Sequence, residues 1–206
     1  MPGSFITFEG LDGSGKSTHL RRFGATLSAA GVDHLVTHEP GGTAIGEALR
    51  AAFLARHLKP EDGTVEALLV FADRRQHLLE MIEPALTAGT HVLCDRFTDS
   101  TIAYQGYGRG ASLELLAELD RLATGSRVPD RTLLFDLPAE LARGRLSPEG
   151  KDRLDAEDLA FHERVRSGYL DLAERHAARF RVIDSSRPLA ETEAQVRAAV
   201  ADLLEL

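Results

Sequence analysis

The chain is poor in several features that mark whole classes of protein. It has a single cysteine, Cys94, so no internal disulfide can form, and its place in HVLCDR reads as a small apolar residue in a buried strand. No apolar run approaches the roughly 18 residues of a membrane span. The opening MPGSFITFEG lacks the basic segment and apolar stretch of a signal peptide, so a cytoplasmic protein with no membrane partner is expected. Excess positive charge is also missing: the net charge is −8, which argues against broad electrostatic binding to nucleic acid. Asparagine is absent altogether, and the eight histidines are scattered without an H-E-x-x-H pair. Lysine is scarce, with only Lys16, Lys59 and Lys151 against 21 arginines, so a lysine inside a distinctive motif stands out.

Against these absences stands an ordinary globular composition, 43% hydrophobic and 27% charged, in 206 residues. That length suits one domain over residues 1–206. Apolar, β-branched runs bounded by turn residues predict strands at Ser4 to Glu9, Asp33 to His38, Thr90 to Asp95, Arg131 to Leu137 and Arg179 to Asp184. Helix-period segments fall at Lys16 to Ala30, Thr43 to Ala55, Thr64 to Ala88, Ser112 to Ala123, Ala156 to Ala178 and Leu189 to Leu204. Strands alternating with helices predict an α/β fold, a five-stranded parallel sheet with helices on both faces. Ligands then collect beyond the carboxyl ends of the strands.

After the first strand comes Gly10-Leu11-Asp12-Gly13-Ser14-Gly15-Lys16-Ser17, which satisfies G-x-x-x-x-G-K-[ST] in full and runs through Thr18 into a helix. Glycines let successive N–H groups wrap phosphates, and the helix N-terminus adds partial positive charge. Lys16 reaches the β/γ oxygens, while the Ser17 hydroxyl suits Mg²⁺. The loop identifies an ATP-type donor and leaves the reaction open. Without asparagine there is no N-K-x-D guanine reader, and no lysine fits a T-K-x-D variant, which argues against a GTP switch.

The sequence resembles the thymidylate kinase family through Glu39-Pro40-Gly41-Gly42-Thr43, Asp95-Arg96-Phe97 and Ala103-Tyr104-Gln105-Gly106. Phe71 to Gln76, Asp152-Arg153 and Arg164 to Leu170 extend it over nearly the whole length. The resemblance implies a P-loop kinase fold, transfer of phosphate from ATP to dTMP, and a homodimer. Asp95 ends a strand on the ligand side, where a carboxylate holds Mg²⁺ directly or through water. Arg96 matches the family's clamp on the acceptor phosphate. Asp12 matches the residue that faces the acceptor 3′-hydroxyl and the metal surroundings. Glu39, Ser100 and Gln105 are expected in the acceptor site, Thr101 on the base and Tyr104 on the deoxyribose. Family members commonly set a Phe four residues ahead of an Arg to stack on and bond the pyrimidine. Phe71 and Arg75 have that spacing, and Arg74 is then expected in solvent.

The irregular stretch from about 144 to 155, GRLSPEGKDRLD, reads as either a connector or a lid. Here the P-loop carries no cation between Asp12 and Ser14, whereas Arg143, Arg145, Lys151 and Arg153 cluster in or beside this stretch, which resembles the lid-basic group of the family. Arg153 best matches the family lid motif, and Arg143 or Arg145 has the planar cation to stack on adenine. The nucleophile would be a phosphate oxygen, already largely dianionic at neutral pH, so no general base is needed.

Overall fold

In a computed structural model describing residues 2–55, 57, 60–146 and 153–204, the first strand, β1 (Phe5–Glu9), is buried over its full length. It pairs in parallel with β3 (His91–Asp95) on one side and β4 (Arg131–Asp136) on the other. β2 (His34–His38) and β5 (Phe180–Asp184) form the edges, giving one parallel sheet in the order β2-β3-β1-β4-β5. The expected fold class is observed, and each strand lies within one residue of its sequence-derived bounds.

Alternation along β1 divides its two faces. Ile6 and Phe8 point into a cluster with Leu20, Phe23 and Leu27 of α1 (Lys16–Ala29) and Val196 and Val200 of α9 (Leu189–Val200). Leu20, Phe23 and Leu27 recur at the three-to-four-residue spacing that makes one apolar helix stripe. Phe5 points the opposite way, into a cluster with Leu78, Ile82, Leu86 and Phe97. Thr7 and Glu9 share that second face by strand period, so a carboxylate enters the interior beneath the strand end.

Helices α2 (Ala44–Leu54) and α3 (Gly63–His77) follow, capped by the side chains of Thr43 and Asp62. The single long helix expected from Thr64 to Ala88 is instead α3, a π-helical stretch Leu78–Ile82 and α4 (Glu83–Ala88). Likewise α5 (Thr98–Thr101) opens into a π-helical stretch Ile102–Gly108. That stretch packs closely on α8 (Leu159–Arg175). A Cβ on Gly108 would sit 2.7 Å from Phe161, and one on Gly168 would sit 2.6 Å from Tyr107. The remaining helices are α6 (Leu113–Thr124) and α7 (Ala139–Arg145), the latter not anticipated from the sequence. α8 starts at Leu159, capped by Asp158, a little later than periodicity suggests. Because β1 neighbours β3 while the chain visits β2 between them, the sheet has a switch point at the carboxyl ends of β1 and β3.

Candidate active site

The loop from 10 to 17 leaves β1 and enters α1 at this switch point. Gly10, Gly13 and Gly15 all have left-handed φ, at 139°, 82° and 90°. A Cβ at Gly13 would lie 2.1 Å from the Ala142 carbonyl oxygen, so neither conformation nor space admits a larger residue. Lys16 is buried and its Nζ lies 3.1 Å from Asp12 Oδ1. Ser17 and Thr18 are exposed at the first turn of α1, and Ser17 Oγ donates to Asp95 Oδ2 at the end of β3. The second oxygen, Asp95 Oδ1, is buried and makes no hydrogen bond. A hydroxyl and a partly unpaired carboxylate, both oxygen donors, form a pair that fits a hard divalent cation.

Arg96 follows directly, with its backbone in the left-handed region at φ 73°, unusual for a side chain of this size. Its guanidinium is fixed by a ring of acceptors. Nη2 donates to Asp12 Oδ1 at 2.7 Å and to Tyr104 OH at 3.3 Å. Nη1 donates to the Gly10 carbonyl at 3.1 Å, Ser100 Oγ at 3.0 Å and Tyr169 OH at 3.1 Å. Tyr104 OH also donates to Asp12 Oδ2 at 3.1 Å. Burial alone would raise the Asp12 pKa, but Arg96 and then Lys16 reverse this and hold the carboxyl well below its usual range. Beneath them, Glu9 accepts from Phe97 N–H at 2.8 Å and from the Ser100 hydroxyl. Burial, reinforced by Asp99, pushes Glu9 up to about 8. Glu9 and Tyr169 were not singled out in the sequence. The signal for Glu9 was a carboxylate closing the uninterrupted apolar strand FITFE.

Beside the loop opens a cleft whose empty space, counted out to its open mouth, is about 550 Å³. Asp12 and Arg96 lie at the end shared with the loop. Glu39, Val70, Arg74, Ser100, Thr101, Tyr104, Gln105 and Leu154 line it further. Arg74 is 1% exposed. Its Nε donates to Glu39 Oε2 at 2.7 Å and its Nη2 to Thr101 Oγ1 at 2.9 Å, while Nη1 is buried without a partner. Glu39 also takes His77 Nδ1 at 2.9 Å. An arginine held on two sides with a free donor edge, in a cleft wall, suits a ligand carbonyl.

This arrangement corrects two assignments. Arg75 is exposed and donates to the Ala123 carbonyl at 3.3 Å, and Phe71 packs with Ala67, Leu116 and Ala123 between α3 and α6. Neither lines the cleft; Val70 and Arg74 do, with the same four-residue spacing one position earlier. The physical reason is the buried stripe of α3, made by Ala67, Val70, Phe71, Arg74 and His77. Arg74 falls on it and Arg75 falls off it, so Arg74 is not solvated as expected.

Arg153 donates through Nη1 to Glu66 and through Nη2 to the Phe53 carbonyl at 3.1 Å, on the cleft side of the molecule. Arg143 is partly exposed in the last turn of α7, and Arg145 donates to the Ser185 carbonyl. Lys151 and Asp152, with much of the expected lid, lie outside the described residues. The structure thus brings together Lys16, Ser17, Asp12, Asp95, Arg96, Ser100 and Tyr104, and connects them to Glu39, Thr101 and Gln105 across one cleft.

The thymidylate kinase family profile matches residues 8–196. A thymidylate kinase of Pseudomonas savastanoi pv. phaseolicola is 47% identical over 207 residues, covering 100% of this chain and 99% of the relative. One from Desulfovibrio desulfuricans is 47% identical over 204 residues, covering 95% and 94%. The crystal structure of thymidylate kinase from Ehrlichia chaffeensis superposes with a TM-score of 0.79 at 34% identity, over 97% of this chain and 99% of that one. With a phosphate loop joined to an arginine-lined cleft, and relatives this similar over their full lengths, the chain belongs to the thymidylate kinase family.

Proposed function

We propose that the chain transfers the γ-phosphoryl group of ATP to dTMP, giving dTDP and ADP. The observation that carries this reading is the join between loop and cleft: Asp12 bonds both Lys16 on the donor side and Arg96 on the acceptor side. The loop's N–H groups and Lys16 take the ATP phosphates, and Arg96 takes the acceptor phosphate. Two anions then meet where two cations already stand, so positioning and neutralisation supply the rate. The acceptor oxygen attacks without a general base. Ser17 and Asp95 would hold Mg²⁺, which neutralises charge on the transferring phosphoryl group. Arg74 and Thr101 would read the base and Tyr104 would border the sugar. Arg143 and Arg153 would complete the donor side as a lid of about residues 144–155 closes.

The same reading takes residues 1–206 as one cytoplasmic kinase domain that works as a homodimer, without nucleic-acid or membrane partners. Among the described residues no helix is long and apolar enough to cross a membrane. Leu68 and Leu79 around α3 and Leu122 on α6 are exposed, which supports a self-contact on this side. Sedimentation equilibrium tests the dimer; a monomer at micromolar concentration would refute it.

The activity is tested by ADP production from ATP with dTMP, UMP, CMP, GMP or shikimate as acceptor. Turnover led by dTMP and dependent on Mg²⁺ is expected. Equal turnover with another acceptor would overturn the substrate, and ADP release indifferent to acceptor would overturn the transfer.

A further inference from the structure

Glu66 lies in the first turn of α3, is 2% exposed, and does not line the cleft, yet it collects three donors. Arg109 Nε at 3.1 Å and Arg153 Nη1 share Oε1, and Gln105 Nε2 sits 2.9 Å from Oε2. Gln105 is itself 2% exposed and lines the cleft near Arg74 and Thr101. A carboxylate only accepts hydrogen bonds, so it dictates which end of a neighbouring amide faces it. Gln105 must turn its NH₂ to Glu66, which leaves its carbonyl oxygen as the end available to a ligand.

We infer that Glu66 is a positioning residue for base selection, fixing the Gln105 amide so that the cleft offers one acceptor beside the Arg74 donors. This rests on the proposed dTMP reaction and deepens it. Thymine presents a ring N3–H donor flanked by carbonyl acceptors, which complements an acceptor beside a guanidinium. Cytosine presents an unprotonated N3 and an exocyclic amine, so it meets the Gln105 carbonyl with a lone pair and Arg74 with a donor. Sites built on such buried polar complementarity reject mismatched ligands strongly because groups of the site stay unpaired. Without Glu66 the amide could rotate by half a turn and serve either base. Arg109 reaches the same carboxylate and pairs with Glu157 at 2.7 Å, so it shares the ion-pair cluster without touching the amide.

The test is the ratio of kcat/KM for dTMP to that for dCMP in the wild type, Glu66→Gln and Arg109→Gln. A glutamine at 66 can donate as well as accept, so the ratio is expected to fall at least about tenfold in Glu66→Gln, within the range that a single polar contact controls. It is expected to hold in Arg109→Gln. A Glu66→Gln variant slower on both substrates with the wild-type ratio overturns the inference, as does an equal fall in Arg109→Gln. A wild type that prefers an acceptor other than dTMP defeats the functional reading instead. Should Glu66→Gln fail to fold, side-chain amide NMR of the wild type decides. The chain has no asparagine and only Gln76, Gln105 and Gln195, so three NH₂ pairs are expected. One pair protected from solvent exchange in the ligand-free protein, and absent in Gln105→Glu, supports a fixed amide; three fast-exchanging pairs refute it.

Discussion

Asp12 and Arg96 stand 84 residues apart in the chain and 2.7 Å apart in space, and that contact joins the loop from 10 to 17 to the neighbouring cleft. Asp12 also holds Lys16 at 3.1 Å, so a single carboxylate keeps two cations together before any substrate phosphate arrives. In the proposed reaction this pairing would act as preorganisation, with both cations held in place before the substrates bind.

Lys16→Ala is therefore expected to slow phosphoryl transfer by about 10³-fold or more while the fold survives, because Asp12 keeps Arg96 and Tyr104 as partners. Single-turnover kinetics with circular dichroism measures both. A folded variant within about tenfold of wild type would remove Lys16 from the mechanism.

The neighbours Arg74 and Arg75 should behave as opposites. Arg74→Ala leaves the buried Glu39 without its arginine partner, which costs about 3–5 kcal/mol for a broken buried pair. Arg75→Ala removes an exposed side chain and should stay within about 0.5 kcal/mol. Urea denaturation gives both values, and dTMP saturation curves should show that only the Arg74 variant loses acceptor binding. The reverse pattern would restore Arg75 to the base contact.

Stability should depend on pH through Glu9. Its folded pKa, raised by burial to about 8 from 4.5, means that the folded state keeps this proton after the unfolded chain has lost it. The stabilisation is complete below about pH 4.5 and is lost progressively as pH rises toward about 8. Glu9→Gln stays neutral throughout. Its stability relative to wild type should therefore climb from about pH 5 to about pH 8 and then level off. A difference that is flat over this window would mean that Glu9 is ionised in the fold.

The sheet was legible because each strand is a short apolar run closed by turn residues, and in β1, β3 and β4 burial on both faces makes that run nearly continuous. The loop from 10 to 17 was legible because its glycines answer to backbone geometry at fixed spacing. Arg74 was misplaced for a different reason. A buried arginine looks like a surface residue by composition, and only the stripe through Ala67, Val70 and His77 reveals its side of α3. The π-helical turns at Leu78–Ile82 and Ile102–Gly108 leave no mark in a period-3.6 pattern until neighbours pack on them. The roles of Glu9, Glu66 and Tyr169 depend on partners 39 to 160 residues away, which no local pattern contains.

Arg153→Ala is expected to lower kcat more than it raises KM for ATP, since a cation that meets charge only in the closed complex favours the transition state. In this structure it is held by Glu66 and the Phe53 carbonyl, contacts it would exchange for the donor phosphates on closing. Arg187→Ala, an exposed residue paired with Asp184, serves as the control. A strong rise in KM with kcat held would make Arg153 an ATP-binding residue only.

Sugar choice should rest on the ring of Tyr104. That ring is locked edge-on against Phe161 and Tyr169, at 6.1 and 6.3 Å between centroids, with the Arg96 guanidinium 5.0 Å from its face. A wall held on three sides cannot retreat from a 2′-hydroxyl, so UMP should be a poor substrate. Tyr104→Phe keeps the ring and loses only the hydroxyl bonds to Asp12 and Arg96, so it should lower turnover with dTMP and leave UMP excluded. Tyr104→Ala opens the wall at a cost of about 3–5 kcal/mol in stability and should gain on UMP relative to dTMP. The missing methyl makes dUMP poorer than dTMP by roughly 10- to 200-fold in kcat/KM, independent of either variant. Values of kcat/KM for dTMP, dUMP and UMP on the three proteins separate these effects. If UMP equals dTMP on the wild type, sugar selection is absent; if Tyr104→Ala gains nothing with UMP, another residue excludes the hydroxyl.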